Sequence, residues 1–329
     1  MVRTRSDSPG TILGIGKFGT EATTEKGLMR IAPAVAEPIR FGISVTPTAA
    51  DYPQIVEQVL AAERGGLDLV GIQDHPYQRR FLDTFALIAD LLARTSRLRF
   101  FPDVASLPMR GPTMIAKAAA SLDVMSGGRF ELGLGAGNFW DAVAGMGGPR
   151  RTRSEAVDAL EAAIPIIRGA LDATAERGVV RAPGPYYPVG YPPGPPTPHR
   201  VEIWIGAYRP RGLRLIGRMA DGWVPSMGYM GPDAFRAASA RIDEAARAAG
   251  RDPARIRRIY NLSGLITDAN GREGPLVGPV DQWVETLSTW TTDPGIDSFI
   301  FWPQDTGTEA IERFAAEVVP AVREAVASS

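Results

Sequence analysis

A chain of 329 residues with a formal net charge of −1 and no cysteine lacks a broad positive field for nucleic acid or an anionic membrane, and excludes disulfides and cysteine catalysis. Its length suits two average domains or one barrel and is ample for a full core. No apolar run approaches the roughly 18 residues of a membrane span, and the polar start at 1–10 is followed by no apolar block of a secretory signal. A cytoplasmic protein with neither a nucleic-acid nor a membrane partner is therefore expected.

Residues 1–38 carry scattered Gly, Ser, Thr and charge without periodicity and read as an N-terminal extension. From Arg40 onward a rhythm sets in. Apolar runs at 39–45, 67–73, 98–105, 129–135, 201–206, 222–225, 256–262 and 298–302 predict strands. They are continuous more than alternating, as in strands covered on both faces. The stretches at 52–65, 82–95, 113–126, 153–173, 211–220, 232–249, 279–291 and 308–327 predict helices. Asp51 stands as an N-cap before the first helix, and Gly65-Gly66 closes it. Eight strands alternating with eight helices predict an α/β fold, a (β/α)8 TIM barrel forming a single domain over 39–329; a doubly wound open sheet is the alternative. The segment 182–200, APGPYYPVGYPPGPPTPHR, breaks the rhythm as an insertion. It is too dense in Pro and Gly for a central helix or strand, and reads as a lip between the fourth helix and the fifth strand. Its Tyr186, Tyr187 and Tyr191 either line a pocket or lie on a plain surface loop.

Barrel sites are built at the carboxyl ends of the strands. After the second strand comes VGIQDHP, which places Asp74 and His75 at that rim, the histidine able to hold or pass a proton near neutral pH. The third strand ends irregularly at Pro102, and Asp103 there either accepts a hydrogen bond from a ligand or caps the loop. The fourth ends in Gly133, Gly135 and Gly137, spaced by two, which lets a ligand approach bare backbone. The competing reading is a tight turn without a ligand, and the spacing is not that of a dinucleotide fingerprint. The fifth passes Gly206, Ala207 and Tyr208 into a helix start with Arg209, Arg211 and Arg214. Free N–H groups beside arginines suit a phosphate, and solvated arginines are the bland alternative. His199 reads as structural. Neither a zinc motif nor a G-x-S-x-G elbow is present, so no metal is expected.

VGIQDHP, GPTMIAKAAASLDVMSGGRFELGLGAGN and IWIGAYRPRGLRLIGRMADGW together resemble the bacterial-luciferase-like superfamily of flavin and deazaflavin oxidoreductases, over roughly residues 40–325. The resemblance implies a (β/α)8 barrel and, most closely, the branch using coenzyme F420, a 5-deazaflavin. In that branch the histidine of the D-H pair lies against the deazaflavin ring and takes part in proton transfer, a role that falls to His75 with Asp74 orienting it. A non-prolyl cis peptide behind the ring matches Val104–Ala105, beside Asp103. The glycine-rich end of strand four, near the ring, matches Gly135, Ala136 and Gly137. The phosphate site matches Gly206, Ala207, Tyr208 and Arg209, with Arg214 as a basic ligand. Asn138 stands where the sugar-phosphate dehydrogenases of the branch carry a catalytic glutamate. An amide is not an acid, so another substrate is expected, over a floor of Phe139 and Trp140. The implied activity is hydride transfer between the deazaflavin and a small organic substrate. The alternatives are an FMN-dependent monooxygenase, taking reduced flavin from a partner reductase and using O2, and a flavin-binding barrel without catalysis. A homo-oligomer is expected, because barrels of this family commonly pair through their outer helices.

Overall fold

A computed structural model describes residues 38–173, 178–268, 274–304 and 306–328. Apart from Pro38, the extension read at 1–38 lies outside the described residues. The first strand, β1 (Arg40–Val45), is followed by β2 (Leu69–Ile72), β3 (Arg99–Pro102, resuming as Ala105–Ser106), β4 (Leu132–Gly135) and β5 (Ile203–Gly206). Then come β6 (Gly222–Trp223), β7 (Arg257–Ser263) and β8 (Ser298–Trp302). Each pairs in parallel with its neighbours, and β8 returns to β1 with Arg40 opposite Ser298 and Ile43 opposite Phe301. That return closes the ring, so the barrel holds and the open sheet does not.

Alternation along each strand sends side chains to two separate cores. Leu69, Phe101, Trp204, Val224, Ile259 and Ile300 pack together inside the ring. Phe41, Ile43, Val70, Ile72, Leu132 and Leu134 face outward, under the helices, in a larger cluster. Those helices are α1 (Tyr52–Arg64), α2 (Thr84–Arg94), α3 (Pro112–Ser126), α4 (Arg153–Leu171), α5 (Pro210–Met219), α6 (Pro232–Ala248) and α7 (Val280–Thr292). In α8, Glu309–Arg313, a wider π turn at Phe314–Val318 and Val319–Ala327 follow one another. Thr152 and Glu155 form a reciprocal capping box at the start of α4. Asp51 does hold the N-cap position of α1, but its side chain makes no capping hydrogen bond.

The insertion contributes a small antiparallel hairpin, Val180–Ala182 with Val189–Tyr191. The guanidinium of Arg151 lies 5.6 Å and 5.3 Å from the ring centroids of Tyr186 and Tyr187 and donates to Tyr187 Oη at 3.0 Å. These tyrosines dock the lip on the approach to α4. The amino ends of the strands are closed by paired charges. His199 lies 2.8 Å from Asp123 and 3.3 Å from Glu131, while Arg99 reaches Glu131 at 2.6 Å. Arg257 meets Glu202 at 3.1 Å. Burial alone would push the His199 pKa down, but the two carboxylates outweigh it and take it to about 9. Among the described residues no helix is long and apolar enough to cross a membrane.

Candidate active site

β2 ends at Ile72, and Gln73, Asp74 and His75 carry the chain over the rim. Asp74 is buried, at 3% exposure. It accepts from the backbone N–H of Ser106 at 2.8 Å and from Arg110 Nε at 3.4 Å, which clamps the end of β2 to the end of β3. The orienting hydrogen bond expected from Asp74 to His75 is instead supplied by Tyr77, whose Oη lies 2.8 Å from His75 Nδ1. The ring of Phe139 meets the imidazole edge-on at 6.0 Å, and Phe81 lies at 6.4 Å. Burial lowers the His75 pKa, and the charge of Asp74 counters it in part. Burial, then the same charge, pushes Tyr77 up to about 12. Near neutral pH the pair is therefore a neutral imidazole beside an intact phenol.

Between its two segments β3 leaves the ladder. The cis peptide bond is Asp103–Val104, one residue before the expected Val104–Ala105. Asp103 N–H still reaches Ile72 O at 2.7 Å, and Val104 turns against the end of the inner core. The glycines of the neighbouring strands make room for it. A Cβ on Gly135 would stand 2.7 Å from Val104 Cγ2, and one on Gly206 3.2 Å from it. A Cβ on Gly133 would lie 2.1 Å from Pro102 O. The repeat read as a ligand's approach to bare backbone thus serves, at Gly133 and Gly135, the bulge of the adjacent strand. Only Gly137, at φ +100°, needs the left-handed freedom of glycine, and its open face lies against Pro108 and Trp140.

The Asp103 carboxylate packs on Gly71, where a Cβ would stand 3.2 Å from Oδ2. Burial pushes its pKa up to about 7, while a hydrogen bond from Asn261 on β7 pulls the other way. Asn261 Nδ2 also donates to Ser226 Oγ at 3.3 Å, and its Oδ1 is buried with no partner among the described residues. Tyr208 Oη accepts from Ser226 N–H at 3.1 Å, and its ring tilts against Tyr229 at 5.6 Å. Burial raises the Tyr208 pKa. The mouth thus gathers His75, Asp103, Val104, Ala105, Gly135, Gly206 and Tyr208. Ala136 and Gly137 follow β4 half-buried, Asn138 is exposed, and Phe139 takes the left-handed conformation at φ +53°.

At the start of α5, Ala207 is half-buried, and Arg209 is exposed at the N-cap position without a side-chain capping bond. Two arginines of the helix bind carboxylates of α4: Arg211 pairs with Asp158, and Arg218 with Glu161 at 2.7 Å. Arg214, in the second turn, shares with Glu161, Arg211 and Arg218 a surface hollow of about 390 Å3 on the flank of the helix. The arginine cluster is thereby divided between helix packing and solvent. Tyr77, Arg110, Ser226 and Asn261 were not singled out in the sequence. Only Asn261, a lone amide inside the apolar run of β7, left a signal there. Among the described residues no three His, Asp or Glu could hold a metal.

The sequence profile described as luciferase-like monooxygenase matches residues 34–273. The chain belongs to the luciferase-like monooxygenase family. It is an oxidoreductase. A phthiodiolone/phenolphthiodiolone dimycocerosates ketoreductase of Mycobacterium tuberculosis is 34% identical over 179 residues, which are 53% of this chain and 45% of that protein. An F420-dependent secondary alcohol dehydrogenase, solved with an F420–acetone adduct, superposes with a TM-score of 0.74 at 18% identity, over 87% of this chain and 99% of the other. The EDTA monooxygenase of Chelativorans sp. BNC1 superposes with a TM-score of 0.75 at 17% identity, over 87% and 94%. The two structures share the barrel with this luciferase-like chain.

Proposed function

We propose that this luciferase-like protein moves a hydride between coenzyme F420 and a carbonyl–alcohol pair, with His75 handling the substrate proton. The observation that carries this reading is the imidazole fixed by Tyr77 at the mouth, neutral at working pH and flanked by Phe139. The ketoreductase relative and the alcohol dehydrogenase neighbour support the substrate chemistry. The mouth suits a flat heteroaromatic ring. Val104 offers an apolar back, Phe139 an aromatic wall, and the unpartnered Asn261 Oδ1 an acceptor for a ring N–H. Ala105, Gly135, Ala136 and Gly137 would border that ring, and Gly206, Ala207, Tyr208 and Arg209 at the start of α5 would meet a phosphate. Arg214 lies farther along the helix and would reach only an extended tail.

When bound, the deazaflavin supplies two-electron hydride chemistry. The chain's own part is positional and protonic. With Nδ1–H donating to Tyr77 Oη, the Nε2 lone pair of His75 takes the alcohol proton, and in the reverse direction the same nitrogen returns it. Asp74 holds the loop that carries the histidine, and Asn138 offers an amide, not an acid, to the open side. His75→Asn is expected to lower kcat for a secondary alcohol by about 100-fold while leaving the Kd of coenzyme F420 within about twofold. Fluorescence quenching gives the Kd and absorbance the turnover; undiminished turnover would overturn the role.

The monooxygenase description of the matching family supports a second reading, with FMN as cofactor. Reduced FMN from a reductase would then drive O2 uptake. Tighter binding of FMN than of coenzyme F420 in the same titration selects it.

A further inference from the structure

We propose that the cavity between the ends of β1, β7 and β8 and the start of α1 is the substrate pocket, and that it takes an uncharged polyhydroxylated molecule, a sugar or polyol without a phosphate. The cavity has about 350 Å3, within the range of small-ligand sites. Its polar wall consists of the hydroxyls of Ser44, Thr46, Ser263 and Thr306 and the amides of Gln54, Gln58 and Gln304. Such groups both donate and accept, as do the hydroxyls of a polyol. The described wall holds no Lys, Arg or His, and its one charge is the carboxylate of Asp51. A phosphate would meet repulsion there and no counter-charge.

Two further observations point to a ligand. Ser44 is 0% exposed, and its Oγ has no hydrogen-bond partner among the described residues. A buried hydroxyl left unmet is costly, and a guest hydroxyl in the cavity would satisfy it. Asp51 holds the N-cap position of α1 without capping it, so its carboxylate is not spent on the helix. Trp302 adds a half-buried indole to the same wall, a surface for the C–H face of a sugar. Ser44 stands opposite Gly71 in the β1–β2 ladder, and β2 is the strand that leads to His75. The assignment rests on the alcohol-oxidising reading above and narrows it to substrates rich in neutral hydroxyls.

Saturation-transfer NMR on the full chain, with ribitol and ribitol 5-phosphate as probes, tests it with and without coenzyme F420. Ribitol is expected to bind about tenfold more tightly than its phosphate ester. Ser44→Ala should weaken ribitol about fivefold, the scale of one lost hydrogen bond. Gln54→Lys, at an exposed position of the rim, should improve the phosphate ester. Equal or tighter binding of the ester, no binding of either probe, or indifference of ribitol to both substitutions would overturn the proposal. Ribitol binding that responds to Ser44→Ala in a chain that fails to bind coenzyme F420 would sink the hydride-transfer reading and leave the pocket standing.

Discussion

Asp103 is an acid held in the mouth of a barrel between a glycine of β2 and an amide of β7. Its pKa of about 7 exceeds the ordinary 3.8 because burial disfavours the charged form more than Asn261 favours it. A carboxyl whose value is raised by folding contributes fully below its unfolded value, and the contribution is lost as pH rises through the folded one. Asp103→Asn is therefore expected to match the parent chain in stability near about pH 4 and to exceed it near about pH 8. Urea midpoints at the two pH values check this, and a gap independent of pH would mean that the acid is not buried in solution. The residue also marks how far the site could be read in sequence. VGIQDHP exposed Asp74 and His75 because adjacent titratable residues after a strand stand out. Tyr77 stood two residues from His75, but only the folded loop turns its phenol onto the imidazole, while Asn261 reaches Asp103 across the barrel, a contact that no spacing along the chain encodes. Asp74 was legible as a rim residue but not as the clamp on Ser106.

Among the elements, β8 was readable to the residue, since SFIFW is an uninterrupted apolar run with polar flanks. β3 was not. FFPDVAS reads as one strand with an awkward proline, and folding splits it at Pro102 and resumes it at Ala105. The split also explains the glycines of β4, whose bare faces fit Val104 and Pro102. Gly135→Ala should cost about 1–3 kcal/mol by overpacking against Val104. Adding Val104→Ala should return part of that loss. A double-mutant cycle by chemical denaturation measures the coupling, and strictly additive losses would show that the two residues do not share the space. The hairpin at 180–191 escaped the reading because three-residue strands amid Pro and Gly carry no periodicity.

Across the whole molecule the two ends of the barrel divide the work. The amino end is a lattice of paired charges, and the carboxyl end holds His75 and Tyr77 together with the unpartnered Ser44 Oγ and Asn261 Oδ1. Substitutions at the first should therefore move stability, and at the second, chemistry. His199→Ala leaves the buried Asp123 and Glu131 short of a counter-charge, at a cost of about 3–5 kcal/mol, with kcat little changed at a temperature where the chain is folded. The sign with pH is fixed by the raised value of about 9. The parent's advantage is whole below about pH 6.5 and fades as pH rises through 9, so the two melting curves should converge in alkali. A stability gap that persists there would assign the residue's role to packing rather than charge. The alternation of apolar runs made the barrel legible from sequence, but this polarity between its ends was not, since both ends are written in the same charged and amide residues.

Phe139 adopts a backbone conformation that a bulky residue holds at a cost of about 1–3 kcal/mol. A breeder of heat-resistant variants would be rewarded at once for writing glycine at that position, and would dismantle the wall beside His75 in doing so.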